Sequence, residues 1–157
     1  MKISKLIIRA GFGTAILAVF LTQAPAFSKT SKVVVVVKAD GALADLTLKD
    51  IRSIYTGEKL YQGSNKIEPL LNGNDSVASI FFKKILEKTK GQYKKIWNSK
   101  GFVDALVAPA VLPDSSDVLR AVYKNDGAIG FVEEGDIAPA QKKYIKVLFT
   151  ADAAAGK

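Results

Sequence analysis

Five consecutive valines, Val33 to Val37, place the strongest constraint on the fold of this chain. A run of β-branched residues favours an extended strand, and the lack of polar alternation indicates that both faces of the strand are buried. A strand buried on both faces needs a layer of structure on each side, as in α/β proteins whose sheet is covered by helices. The run therefore predicts an interior strand of a central sheet.

The first 26 residues have the pattern of a secretory signal peptide. Residues 1–9 carry three cations and no acid, residues 10–21 are uncharged and mostly apolar, and residues 24–26 form a small-x-small cleavage site. An uncleaved membrane anchor is the alternative, but the apolar run is short for a membrane span. We therefore predict a periplasmic protein whose single mature domain comprises residues 27–157.

The chain contains neither cysteine nor histidine. The first absence excludes disulfides, thiolate nucleophiles and Cys-ligated zinc, and the second removes the commonest general base and the usual transition-metal ligand. The acids are scattered except at residues 133–136, which read as a solvated turn after a strand. These absences favour a binding protein over an enzyme, with no catalytic residues, no metal site and no cofactor.

Apolar spacing and turn residues predict strands and helices that alternate along the mature chain. The first helix begins with a capping-box pattern at Thr47 and Asp50 and ends at Gly57. The second strand contains Pro69, which favours an edge position or an early end of the strand, and Gly91 is expected to end a later helix. The order β-α-β-α-α-α-β-β predicts an α/β fold with a central mixed, mostly parallel sheet flanked by helices.

The turn after the second strand is the best candidate for a ligand site. It leads into a helix, whose unpaired amides and dipole favour an anion. Gly73 permits the turn, while Asn72, Asn74 and Ser76 supply hydrogen-bond donors. Asp75 repels an anion unless it accepts the proton of a monohydrogen phosphate or caps the helix. The alternative is that the segment is only a turn with an N-cap.

A cationic stretch follows this turn. It consists of Lys83, Lys84, Lys88, Lys90, Lys94, Lys95 and Lys100. Clustered lysines are one mark of nucleic-acid binding, but no arginine for base recognition accompanies them and the protein is predicted to be exported. A solvated helix face is therefore the expectation, with no nucleic-acid partner. Trp97, at helical spacing from Tyr93, is expected to be a core residue.

Two segments resemble the phosphate-type solute-binding proteins of ABC transporters. Leu48–Gly57 is similar to the family's Leu-x-x-Ile-(Phe/Tyr)-x-Gly-Lys helix end up to its glycine, and Gly127–Val132 is similar to its Gly-Ala-Ile-Gly-Tyr strand. Weaker similarities occur in the same order at Asn65–Pro69, Phe81–Leu86, Lys95–Trp97 and Val118–Leu119. The resemblance implies a type II periplasmic-binding-protein fold. Family members have two lobes that close over phosphate, and this chain resembles a short, single-lobe form.

The resemblance also implies an anion site at residues 72–78. The best register places Asn72 at the family's Arg, Asn74 at its Asp, and Ser76, Val77 and Ala78 at Ser-Gly-Thr, so only Ser76 matches. The implied ligand is phosphate or a similar small anion, and an ABC permease is an implied partner. The missing Arg and missing lobe favour an alternative, a ligand-free interaction, adaptor or sensor module of the cell envelope. A homodimer or another envelope protein would supply the opposite wall of the site.

Overall fold

The computed structural model describes residues 31–153 of the chain. The predicted signal peptide, residues 1–26, lies outside the described residues. Across residues 31–153, no helix has the length and apolar character needed to cross a membrane.

The described part of the chain alternates strands and helices. The strands are β1 (Lys32–Lys38), β2 (Tyr61–Gln62), β3 (Asn65–Lys66), β4 (Glu68–Asn72), β5 (Ala110–Leu112), β6 (Ala128–Glu133) and β7 (Ile145–Asp152). The helices are α1 (Leu48–Tyr55), α2 (Asp75–Ile80), α3 (Lys90–Val103) and α4 (Ser115–Lys124). A π-helical turn over Phe81–Ile85 continues α2, and a 3-10 turn over Glu134–Asp136 follows β6.

The central sheet has the strand order β5-β4-β6-β1-β7, and β2 and β3 form a separate hairpin. β4 pairs in parallel with β5 and β6, while β1 pairs antiparallel with β6 and β7. Four of the five strands therefore run in the same direction and β1 runs in the opposite one. The predicted mixed, mostly parallel sheet is confirmed, and β1 is an interior strand as the valine run predicts.

The valines of β1 divide alternately between two hydrophobic cores. Val33, Val35 and Val37 pack on the face covered by α1, α2 and α3, whereas Val34 and Val36 pack on the face covered by α4. This division follows from the two-residue period of a strand. All five side chains are fully buried, and burial of each contributes roughly 1.5 kcal/mol or more.

A buried tyrosine connects the first helix to the sheet. The hydroxyl of Tyr55 lies 3.0 Å from the carbonyl oxygen of Leu70 in β4 and 3.2 Å from that of Ile129 in β6. Its ring meets the Phe81 ring edge-on at a centroid distance of 4.7 Å, and Phe81 stacks on Phe131 at 3.8 Å. Burial raises the pKa of the Tyr55 hydroxyl, which keeps it protonated as a hydrogen-bond donor.

The glycines of the Gly127–Val132 segment allow close contacts with neighbouring elements. A Cβ at Gly127 would lie only 2.2 Å from the carbonyl oxygen of Lys66, and a Cβ at Gly130 would lie 2.3 Å from Cγ1 of Val118. Gly130 therefore lets α4 approach the sheet, while Gly127 lets the end of the β2–β3 hairpin approach β6.

Two expectations are wrong, namely that Pro69 marks an edge strand and that Gly91 ends a helix. Pro69 lies in the interior strand β4, where its missing N–H costs no sheet hydrogen bond. The amide of Glu68 points to β6, so position 69 faces β5, whose pairing with β4 begins only at Leu70. Gly91 does not end a helix but lies in the first turn of α3, which starts after the N-cap Thr89.

Candidate functional site

The predicted anion loop, residues 72–78, lies at the carboxyl end of β4. Parallel strand β5 ends beside it, and the helices that follow these two strands leave on opposite faces of the sheet. α2 packs with the core on one face and α4 with the core on the other. In α/β proteins, ligands commonly bind at the carboxyl edge of a sheet where successive connections diverge in this way.

Asn72 has a structural role at this edge. It is 2% exposed, and its Nδ2 atom lies 3.1 Å from Oγ of Ser115 and 3.3 Å from the carbonyl oxygen of Phe131. Its Oδ1 atom accepts a hydrogen bond from the amide of Asn74 at 2.9 Å. The side chain thus joins the ends of β4 and β6 to the start of α4, and its donors already have partners.

Gly73 holds the loops after β4 and β5 together. Its amide donates to the carbonyl oxygen of Leu112 at 2.7 Å. A Cβ at this position would lie 2.9 Å from that oxygen and 3.0 Å from the carbonyl oxygen of Pro113. Since both neighbours are backbone atoms, only glycine permits this approach, which closes the space between the two loops.

Asn74 is the N-cap of α2. Its Oδ1 atom accepts from the amides of Ser76 at 3.0 Å and Val77 at 3.4 Å, and its backbone carbonyl accepts from Ala78 at 2.9 Å. The amides of Val77 and Ala78, which the resemblance assigns to the anion, therefore have intramolecular partners. The side-chain amide of Asn74 and the exposed hydroxyl of Ser76 form no hydrogen bond with other described residues.

The charges around the loop are mainly negative. Asp75 pairs with Lys90, and the hydrogen bond from this lysine lowers the pKa of the Asp75 carboxyl. Asp114 caps α4 by accepting from the amides of Ser116 and Asp117 at 2.8 and 3.0 Å. Since Lys90 is already paired with an acid, an anion in this loop gains little from neighbouring cations.

The other charged segments agree with the sequence analysis. Residues 133–136 form the end of β6 and a short 3-10 turn, as expected for a turn after a strand. Most of the lysines between positions 83 and 100 are exposed, in agreement with a solvated helix face. Within residues 31–153 there is no group of three or more acidic residues that could hold a metal ion.

Sequence reasoning missed a cavity at the opposite edge of the sheet. It lies beside the amino ends of β4 and β5, with Trp97 in its floor and a volume of about 680 Å³. Its walls come from segments that are distant in sequence, so no local pattern predicts it. The available signal was a set of apolar residues, including Leu106 and Val107, in a segment with no predicted helix or strand.

Solved structures of phosphate-binding proteins share this fold. An ABC-type phosphate transport receptor from Vibrio cholerae is 16% identical with a TM-score of 0.52, over 78% of this chain and 54% of that one. A structure from Clostridium perfringens with bound phosphate, assigned as a phosphate ABC transporter substrate-binding protein, is 18% identical with a TM-score of 0.52, over 78% and 55%. PstS from Borrelia burgdorferi is 14% identical with a TM-score of 0.53, over 75% and 46%.

The chain spans about half the length of these solved structures. No protein-family model matches the sequence, and no functionally curated protein matches it. At such low identities, the structural similarity concerns the fold. The described residues therefore form an α/β domain with the architecture of type II solute-binding proteins.

Proposed function

We propose that this protein is an exported solute-binding lobe that binds phosphate or a similar small anion at residues 72–78, in connection with ABC-type uptake. The observation that best supports the proposal is the position of this loop, at the carboxyl edge of a sheet whose fold is that of phosphate receptors. The proposed role is binding without catalysis. Periplasmic localisation rests on the signal-peptide pattern of residues 1–26.

The proposed anion contacts are the free donors of the loop. These are the hydroxyl of Ser76 and the side-chain amide of Asn74. An anion could also replace Oδ1 of Asn74 at the amides of Ser76 and Val77, at a cost of about 1 kcal/mol for the lost N-cap. Ala78 and Gly73 would then shape the loop, and Asp75 would accept the proton of a monohydrogen phosphate. Asn72 would hold the loop in place rather than touch the ligand.

The proposed site is incomplete in one copy of the chain. The loop offers a single wall, whereas ligand pockets bury most of the surface of a small ligand. Hydrogen bonds from amides or hydroxyls to an anion gain little free energy when water competes for both partners. A second copy of the chain, an ABC permease or another envelope protein would supply the opposite wall.

Calorimetric titration of the protein with phosphate, sulfate and small organic anions tests the proposal. We expect a weak, saturable heat with phosphate at millimolar concentration, and its loss in Ser76→Glu, where a carboxylate would occupy the site. Ser99→Glu, on the exposed side of α3, is the matched control and should retain the heat. The absence of heat with every anion at millimolar concentration would overturn the transport-ligand proposal.

A second function is favoured by the hydrogen bonds at the loop. The amides of Ser76, Val77 and Ala78 are already satisfied, and the carboxylates of Asp75 and Asp114 lie in the two loops at this edge. A lobe that lost its ligand and kept its fold would act as an adaptor or sensor module. Neighbouring genes for a permease and an ATPase support transport, whereas a lone gene beside a sensor kinase or an outer-membrane porin supports the adaptor.

A further inference from the structure

A second concave site lies at the amino ends of β4 and β5, at the opposite edge from the predicted anion loop. Its volume of about 680 Å³ falls within the range of small-molecule pockets, roughly 300–1,000 Å³. The β2–β3 hairpin forms one wall and residues 105–109 form the other, while α1 and α3 contribute the floor. The cavity therefore has the size and shape of a ligand site, and it is independent of the proposed function.

The floor of the cavity is apolar. Ile54 and Ile67 are 1% and 4% exposed, and Trp97 is 7% exposed. The indole Nε1 of Trp97 donates to the carbonyl oxygen of Tyr55 at 3.0 Å, so the polar atom of the ring already has its partner. Pro69 also lines the cavity. The floor itself is almost fully buried, and the apolar surface open to a ligand belongs to the walls, where Tyr61 and Val107 are exposed.

The outer wall is a loop whose backbone turns tightly after α3. The amides of Asp104 and Leu106 both donate to the carbonyl oxygen of Lys100, at 2.9 and 3.3 Å. Ala105 between them has a φ of 53°, a left-handed conformation that is uncommon for residues other than glycine. The turn leads into Leu106 and Val107, which line the cavity, although Val107 is 88% exposed. An apolar side chain left this exposed beside a cavity has surface that a ligand could cover.

Of the two lysines that line the cavity, one has no ion-pair partner among the described residues. Glu68 accepts a hydrogen bond from Nδ2 of Asn125 at 2.6 Å, and Lys59 is paired with Asp50 at 2.6 Å. Lys66 is exposed, and no carboxylate in residues 31–153 forms an ion pair with it. The cavity thus combines apolar surface with the ammonium group of Lys66, which forms no ion pair with the described residues, and the carboxylate of Glu68, which is held by a neutral amide.

We propose that this cavity binds a small amphipathic carboxylate, with its apolar body against the exposed side chains of Tyr61 and Val107 and its carboxylate on the ammonium group of Lys66. Among the charged residues that line the cavity, the two lysines outnumber Glu68, so a cationic ligand is disfavoured relative to an anionic one. Inorganic phosphate would leave the apolar walls in contact with water, so the apolar body distinguishes this ligand class from that of the anion loop. Lys66 would supply charge and Tyr61 the aromatic surface, while Trp97 lies beneath the ligand.

Trp97 is the only tryptophan of the chain, so its fluorescence reports on this cavity directly. The probes are 4-phenylbutyrate and the neutral 4-phenylbutan-1-ol, which share an apolar body and differ in charge. We expect a saturable change in Trp97 fluorescence with both probes and tighter binding of the carboxylate. Lys66→Gln should weaken carboxylate binding about fivefold, as for an exposed ion pair, and leave alcohol binding unchanged.

Lys142→Gln, an exposed lysine outside the cavity, is the matched control and should change neither affinity. Ala108→Phe should fill the cavity and abolish binding of both probes, with an unchanged far-UV circular dichroism spectrum as evidence of folding. The proposal is overturned if neither probe gives a saturable change at millimolar concentration. It is equally overturned if carboxylate and alcohol bind alike, or if Lys66→Gln and Lys142→Gln have the same effect.

Discussion

The two ends of β4 carry opposite kinds of surface. At the carboxyl end, the side chains of Asn72 and Asn74 bind neighbouring donors and acceptors of the same loop and of α4. At the amino end, an apolar cavity holds the unpaired Lys66. A polar turn in a sequence is therefore weak evidence of a ligand site, because capping consumes the groups that would bind. Among the described residues, the loop at the carboxyl end keeps only the Ser76 hydroxyl and the Asn74 side-chain amide as free side-chain donors, whereas open apolar surface lies at the other end of the strand.

The largest loss of stability is expected from Gly127→Ala, beside the amino end of β4. The new Cβ would lie 2.2 Å from the carbonyl oxygen of Lys66, a backbone atom that cannot move without displacing the hairpin. We expect the free energy of unfolding to fall by about 3 kcal/mol in urea denaturation. Gly101→Ala, where the nearest atom is 3.6 Å away, is the control and should cost less than about 1 kcal/mol. Equal losses in the two variants would show that the hairpin contact is not tight.

A smaller loss is expected at the carboxyl end, from Asn72→Ala. The substitution removes the hydrogen-bond partners of Ser115 Oγ and of the Asn74 amide within a buried region. We expect a loss of about 2 kcal/mol in the free energy of unfolding. Asn98→Ala, at an exposed position of α3, should change it by less than about 0.5 kcal/mol. A loss in Asn72→Ala no larger than in the control would contradict the structural role of this side chain.

Asn74→Ala sharpens the comparison, because it separates capping from ligand binding. Loss of the N-cap should cost about 1 kcal/mol of stability. The same change removes one proposed anion donor, the side-chain amide of Asn74, but frees two, the amides of Ser76 and Val77, so phosphate should bind more tightly in calorimetry. Thr89→Ala, which removes the N-cap of α3, should cost similar stability without a change in phosphate affinity. Weaker or unchanged affinity in Asn74→Ala would contradict a part for the helix amides in anion binding.

The smallest expected effect is on the pH dependence of stability. It comes from Asp50, which pairs with Lys59 beside the cavity. Hydrogen bonds from Lys59 and from Thr47 hold the pKa of Asp50 well below its ordinary value of 3.8. A carboxyl whose pKa is lowered by folding stabilises the fold above its unfolded pKa, and this contribution is lost as the pH falls below that value. Thermal unfolding should therefore show stability declining below about pH 4, with a shallower decline in Asp50→Asn. An identical decline in both proteins would assign the pH dependence to other acids.

Local patterns sufficed where a neighbour in sequence decides the structure. The valine run predicts β1, and the capping box of Thr47 and Asp50 starts α1 as predicted, with Gly57 at a φ of 72° just after its end. Local patterns failed where contacts between segments that are distant in the sequence decide the structure. Pro69 is tolerated in an interior strand because β5 begins to pair one residue later. The cavity depends on the packing of a hairpin, two helices and a loop, which no single segment records.

The position of the anion site is the central claim, and amide chemical shifts in a ¹⁵N-labelled protein test it most directly. On titration with phosphate, the amides of residues 73–78 should shift in a saturable manner, while the indole N–H of Trp97 should stay in place. Ser76→Glu should remove the shifts of the loop. If phosphate leaves residues 73–78 unshifted, or moves only amides elsewhere, the loop is a capped turn and the proposed binding site is wrong.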